Sequence, residues 1–325
     1  MKQKIVARKA CHDVSNLFTV CMEGPLKMIR LNCNILSPRL RPQRLALLVG
    51  LAVITVGLTA EISASPLTVR VNRWLELRNF SGAVDSRQNG QWRQAQIGDR
   101  LRTVGDGLRT GAGSLARLAV DTQVGFVSLS ENTTLTVSQL YTTSSGGKVT
   151  ELDVPRGQAR VFVRPFTNPE SRLEIRTPAG VNGVRGTDFG IAIQPSGRSS
   201  LVVEEGSVAA SAQGQSVAVN SGFQNFTIPG EPPSDPMPIT ENPNLNIRRV
   251  DPQRRNGEEI VLLEGTTFFV NLLVIDGVTQ EIIADENDEQ IGNFALEVPL
   301  PADKRIEVTV TTPLGKVQIY DVVVR

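Results

Sequence analysis

The sequence predicts an all-β protein of two successive modules behind an N-terminal hydrophobic helix. Three observations predict it. From about residue 70, short apolar runs recur between glycine-rich turns, at the roughly 8–12-residue spacing of a sandwich, roll or barrel. Several runs alternate apolar and polar positions, with partial fidelity in Leu135–Tyr141, which puts one side-chain set on a core and the other in water. After residue 80 no stretch holds a helical period for long. The 325 residues suit two domains, and 40% hydrophobic content is enough to fill their cores.

The first 44 residues carry nine Lys or Arg against Asp13 and Glu23, a basic leader expected to stay cytoplasmic. Residues 45–60, LALLVGLAVITVGLTA, hold no charge, with Arg39, Arg41 and Arg44 just upstream and Glu61 closing the run. Such a basic flank resists translocation, so residues 65–325 are expected to be exported to the periplasm or cell envelope. Sixteen apolar residues fall between the roughly 7–15 of a signal-peptide core and the about 20 of a spanning helix. Residues 45–64 therefore read either as a cleaved signal peptide, with Ile62-Ser63-Ala64 as the small-residue site, or as an inner-membrane anchor.

Strands follow at FVSLS (126–130), LTVSQLY (135–141), VTELDV (149–154), ARVFVR (159–164), LEIR (173–176), FGIAI (189–193), SLVVEE (200–205), SVAAS (207–211) and SVAVN (216–220). WLELRNF (74–80) reads as an extension of the preceding linker, a first strand or a turn of helix. Residues 229–243 hold six prolines in fifteen positions, which predicts a semi-rigid spacer that neither strand nor helix crosses. Beyond it, residues 244–325 again read as six or seven strands, a small immunoglobulin-like sandwich in architecture only. Its last two strands form a hairpin around Pro313-Leu314-Gly315, with Ile306, Val308 and Val310 on one face. Residues 65–230 carry 17 basic and 13 acidic side chains, residues 231–325 carry 8 and 17. Opposite signs either help the modules dock or merely reflect different surfaces.

Chemistry is mostly excluded. Cys11, Cys21, Cys33 and the single histidine, His12, all precede the apolar run. The exported part thus has no thiol, no imidazole, no disulfide and no Cys/His zinc site, and a serine–histidine triad is ruled out there. A carboxylate-based hydrolase would need a pair such as Asp188 with Glu204. The glycine-rich stretch from Gly105 to Gly113 lacks a P-loop's lysine and following helix, so no nucleotide or other cofactor is expected. Asp285, Glu286, Asp288 and Glu289 read as a solvated acidic loop, since the spacing fails for an EF-hand. A net charge of +1 argues against nucleic acid as a partner.

One ordered set of motifs stands out over residues 80–226. It comprises Trp92, Gly105-Asp106, Thr110-Gly111, Thr177-Pro178, Val184-Arg185-Gly186-Thr187 with Phe189, and Glu205-Gly206 with Val208. In itself, Asp106 can bond its own turn backbone, Pro178 ends a strand, and Gly186 marks a bulge or a close backbone approach. Thr187 and Phe189 share a face. Arg185 can pair with Asp188, Glu204, Glu205 or a ligand, and Trp92 either plugs an edge or stacks a sugar. Together the motifs resemble the FecR domain, named for the ferric-citrate regulator of bacterial envelopes. The resemblance implies a β-roll or solenoid-like domain over residues 70–228 and an envelope protein.

Regulators of that type carry a Trp-bearing cytoplasmic module that binds an extracytoplasmic-function sigma factor. The 44-residue leader here contains no Trp, and a sandwich stands where a regulator has its receptor-contacting end. The expected function is accordingly a non-enzymatic envelope module that binds or scaffolds a protein or glycan partner. The alternative is a membrane-anchored transducer, held through residues 45–60, that regulates a sigma factor.

Overall fold

The computed structural model describes the backbone of residues 5–8 and residues 73–121 and 124–325. The expected leader and the apolar segment 45–64 otherwise lie outside the described residues. Within them the protein is all-β, and no helix is long and apolar enough to cross a membrane.

The first module is two nine-stranded ladders that share one long strand, Lys148–Val163. One ladder runs, in spatial order, Arg100–Leu101, Leu75–Ser81, Leu115–Val120, Gly125–Leu129, the second half of the shared strand, Thr187–Ile193, Ser199–Glu205, Phe223–Thr227 and Met237–Pro238. The other runs Gln91–Gln94, Val84–Gln88, Gly107–Thr110, Thr134–Thr142, the first half of the shared strand, Arg172–Arg176, Val181–Val184, Ser207–Ala212 and Gln215–Asn220. Every pairing is antiparallel except that of Lys148–Val163 with Arg172–Arg176. The outermost strands have one partner each, so neither sheet closes.

The chain advances by passing back and forth between the two ladders, and its inward residues fill one core. Leu77, Leu118, Leu135, Leu152, Phe189 and Ile191 are all fully buried there, each stabilising by about 1.5–3 kcal/mol relative to exposure. At one end Arg73 forms a buried ion pair with Asp121 at 2.8 Å and donates to Thr150 Oγ1 and the Val149 and Tyr141 carbonyls. Such a charge is tolerable inside only because both its donors and its counter-charge are satisfied.

One expectation changes, and one open alternative is resolved. Residues 149–154 and 159–164 are not two strands but halves of one, because the Pro155–Gly157 stretch bends the strand from one ladder into the other instead of turning it back. Gly157 has φ +92°, and a Cβ there would lie 2.5 Å from Thr133 Cα. WLELRNF forms a strand, Leu75–Ser81, with Leu75 and Leu77 inside.

The second module is two sheets around their own core. One sheet orders Leu245–Arg255, Glu258–Phe268, Ile291–Pro299 and Ile283–Ala284. The other orders Val278–Gln280, Leu272–Ile275, Arg305–Thr311 and Val317–Val323. Leu263 and Phe294 from the first meet Ile306, Val308, Val310 and Val322 from the second. The hairpin around Pro313-Leu314-Gly315 forms with its three apolar residues fully buried, as the alternation predicts. On the outer edge of this sheet, Ile5–Arg8 pairs antiparallel with Val317–Val323, setting Val6 opposite Asp321.

The proline-rich stretch is a docked strap. Met237–Pro238 pairs with Phe223–Gln224, Thr240 N–H donates to Gln224, and the Thr240 hydroxyl donates to Gln290. Glu241 accepts from Leu314 N–H at 3.2 Å. Proline stops regular structure from propagating, but it does not stop the segment packing on both modules.

Candidate functional site

The family-like motif residues gather into a structural corner. Val184 and Val208 sit opposite each other in register, and the chain leaves one ladder through Arg185-Gly186 and re-enters it through Gly206. A Cβ on Gly206, where φ is +83°, would stand 2.6 Å from the Gly186 carbonyl. One on Gly186 would stand 2.5 Å from Pro165 Cα. Gly206 is thus crowded by the other crossing and Gly186 by the Pro165 backbone, and neither position has room for a side chain. Thr187 and Phe189 point inward, and the Thr187 hydroxyl is buried without a partner. Arg185 donates to the Pro169 carbonyl, while Asp188 receives a two-pronged contact from Arg160 at 2.8–2.9 Å.

The other motif pieces also stabilise turns. Buried Asp106 accepts from Arg102 and Thr103 N–H at 2.8 and 3.0 Å, the local bond its position predicts. The Thr110 hydroxyl donates to Ser130 O and accepts from Thr133 N–H. Thr177 closes a tight turn with Gly180, and Pro178 lies against Gly197. These residues build the fold, and of them Thr110, with its neighbour Gly111, also lines a cleft.

Trp92 is different. It stands half-exposed on the outer face, with the Arg109 guanidinium 4.7 Å and that of Arg87 6.0 Å from its ring centroid. Arg109 pairs with Asp85 at 2.9 Å, and both line an open cleft of about 730 Å³ between the modules. The far wall is the 277–279 turn of the second module, and Arg156 and Asn132 complete the polar lining. Asn132 also donates to Gly277 O, which ties the two walls together. Arg109 joins Trp92 to the cleft, and this polar surface is the candidate binding site among the described residues. They hold no cluster of three His, Cys, Asp or Glu suited to a metal.

The walls of the cleft are fixed by a seam that sequence reasoning missed. Arg198, 4% exposed, reaches from the first module over the Phe269 ring at 3.5 Å. It donates to the Phe269 and Ile282 carbonyls at 2.9 and 3.3 Å. Burial lowers its pKa to about 10, which leaves it charged at neutral pH. Gln158 donates to Pro313 O and Gln194 to Asn271 O. Ser196 binds Glu281 through both N–H and hydroxyl, at 2.8 and 2.9 Å. Gly190 lets the Pro313 carbonyl lie flat on its strand, since a Cβ there would come within 2.0 Å of that oxygen. Ala192, Leu272 and Val274 form a small apolar patch between the two main cores. Two carboxyls at the seam have raised pKa values. Glu131 is shifted by burial and then by nearby Glu307, against the Gly113 N–H, and Glu241 is shifted mainly by burial.

The comparisons agree with the motif reading. Residues 106–209, which lie within the first module, match the family model for FecR protein. No curated protein matches the chain. Two crystal structures of a protein from Parabacteroides distasonis ATCC 8503, provisionally described as an anti-sigma factor, are similar. One is 14% identical over 41% of this chain and 59% of that one, with a TM-score of 0.34. The other is 13% identical over 44% and 68%, also at 0.34. The chain therefore spans less than two thirds of the first structure's length.

Proposed function

We propose that this is a non-enzymatic, exported FecR-domain protein that binds or scaffolds a protein or glycan partner in the cell envelope. The observation that carries the reading is the seam. It joins a FecR domain rigidly to a second β-module and leaves a wide polar cleft and open strand edges as contact surface. Support also comes from residues 65–325, which contain neither Cys nor His. Asp188, half of the carboxylate pair that a hydrolase would use, is engaged by Arg160. The finer fold labels, a β-roll followed by an immunoglobulin-like sandwich, belong to the same proposal. The test is affinity capture from envelope extracts by residues 65–325 beside the Trp92→Ala/Arg109→Ala double variant. A partner retained by the wild type and lost by the variant supports the reading. Retention of nothing across salts and detergents contradicts it, and equal retention by both takes the contact off the Trp92 cleft and leaves it to the strand edges.

A second reading, a membrane-anchored regulator, is favoured by the basic leader ahead of an apolar segment and by the FecR match. It requires direct binding of a sigma factor to residues 1–44, measurable with that segment as a peptide. Mass mapping of the mature N-terminus with fractionation separates the two. A soluble form beginning near residue 65 supports the first, and an uncleaved membrane form the second.

A further inference from the structure

The strand Val317–Val323 is the last strand that the second module itself supplies to its sheet, outside which only Ile5–Arg8 pairs among the described residues, and its sequence, VQIYDVV, contains no Lys, Pro or Gly. Natural edge strands are normally guarded by such residues, by bulges or by a covering segment, because their free N–H and C=O groups recruit any available strand. Here Val317 and Ile319 are only half-buried, and pairing with the inner neighbour Arg305–Thr311 is regular along the whole length. Among the described residues the guard on this edge is Ile5–Arg8, IVAR, seated antiparallel in the register Ile5 to Val322 and Arg8 to Ile319.

That guard comes from the leader, and the proposed export removes it. Residues 5–8 cannot stay on this edge if the leader is held at the inner face of the membrane or cut away. The charge balance fits the exchange, with the leader at nine basic against two acidic residues and residues 231–325 at 8 against 17.

We infer that the Val317–Val323 edge is a strand-acceptor site, and that the occupant it fits is an extended, β-branched, positively charged segment of an envelope partner. The leader strand covers the site in the unexported chain, and export vacates it. Main-chain ladder bonds supply the affinity, and the acidic module selects a basic strand. The inference rests on the envelope-binding reading but is tested separately from it. Among the described residues, every member of the two main cores lies between Leu75 and Val324, so residues 65–325 carry both described cores entire.

The probe is a fluorescent peptide of residues 2–9, KQKIVARK, titrated into purified residues 65–325. Saturable binding is expected, weakened about tenfold or more by Ile319→Lys, which puts a like charge on the edge. A peptide N-methylated at alternate residues, which loses its ladder donors, is expected not to bind. Circular dichroism of Ile319→Lys establishes that the module remains folded. Failure of the wild-type peptide to bind, or equal binding of the methylated one, overturns the inference. So does a dimer of residues 65–325 that Ile319→Lys disperses, since that gives the edge to a second copy. None of these outcomes depends on where the protein resides, so the export reading stands or falls on its own.

Discussion

Replacing Arg198 by Met keeps most of the stem's bulk and removes the guanidinium. In the structure that group donates to two buried carbonyls, Phe269 and Ile282, and lies 3.5 Å from the Phe269 ring centroid. Bonds from a charged donor contribute about 1.5–3 kcal/mol each, and an acceptor left unsatisfied forfeits about 1–3 kcal/mol. Against this stands the desolvation cost of the buried cation, which the variant recovers and which is visible in the lowering of its pKa to about 10. The balance is a net loss of about 2–4 kcal/mol. For an assembly of this size that shifts Tm down by about 5–10 °C. Because the loss falls on the seam and not on either main core, calorimetry should resolve one transition into two, and a protease should gain access to the 229–243 strap. A variant that melts within about 1 °C of the wild type, as a single transition, would refute the view that Arg198 locks the modules.

Other outcomes follow from the same geometry. Gly206→Ala forces a Cβ to 2.6 Å from the Gly186 carbonyl at φ +83°, and urea titration should show a loss of about 2–4 kcal/mol. Asp106→Ala frees two turn N–H groups and should cost about 1–2 kcal/mol by the same assay. Trp92→Ala lies on the outer face and should change stability by less than about 1 kcal/mol while reducing partner capture. Glu131 and Glu241 have folded pKa values raised above 4.5. Their contribution is therefore fully present below that unfolded value and is lost as pH rises through the folded one. The Glu131→Gln/Glu241→Gln pair should gain stability relative to the wild type as pH rises from 4.5 to 7, and an unchanged difference across that range would contradict it.

The β-strands were legible because half-burial writes an alternating pattern, and Ile306, Val308 and Val310 show it cleanly. Crossings were harder. Pro155 and Gly157 look like a hairpin turn, yet they carry one strand from sheet to sheet, a distinction set by which strands flank them in space. The FecR-like signature was readable because glycines at backbone contacts admit no substitute: Gly206 packs on the Gly186 carbonyl and Gly186 on the Pro165 backbone. The seam was not readable. Gln158, Gln194 and Arg198 are polar residues on strand faces or turns, and nothing local tells a side chain facing water from one facing another module's carbonyls. The prolines of 229–243 correctly signalled an absence of long strands but carried no information about docking.

The account depends most on residues 65–325 lying beyond the inner membrane, and their lack of native cysteine makes that directly measurable. Gln215 sits exposed at the end of the turn before Gln215–Asn220, so Gln215→Cys in a chain with Cys11, Cys21 and Cys33 changed to Ser offers one reporter thiol. A membrane-impermeant maleimide should label it in intact cells. Labelling that appears only after lysis would contradict the account.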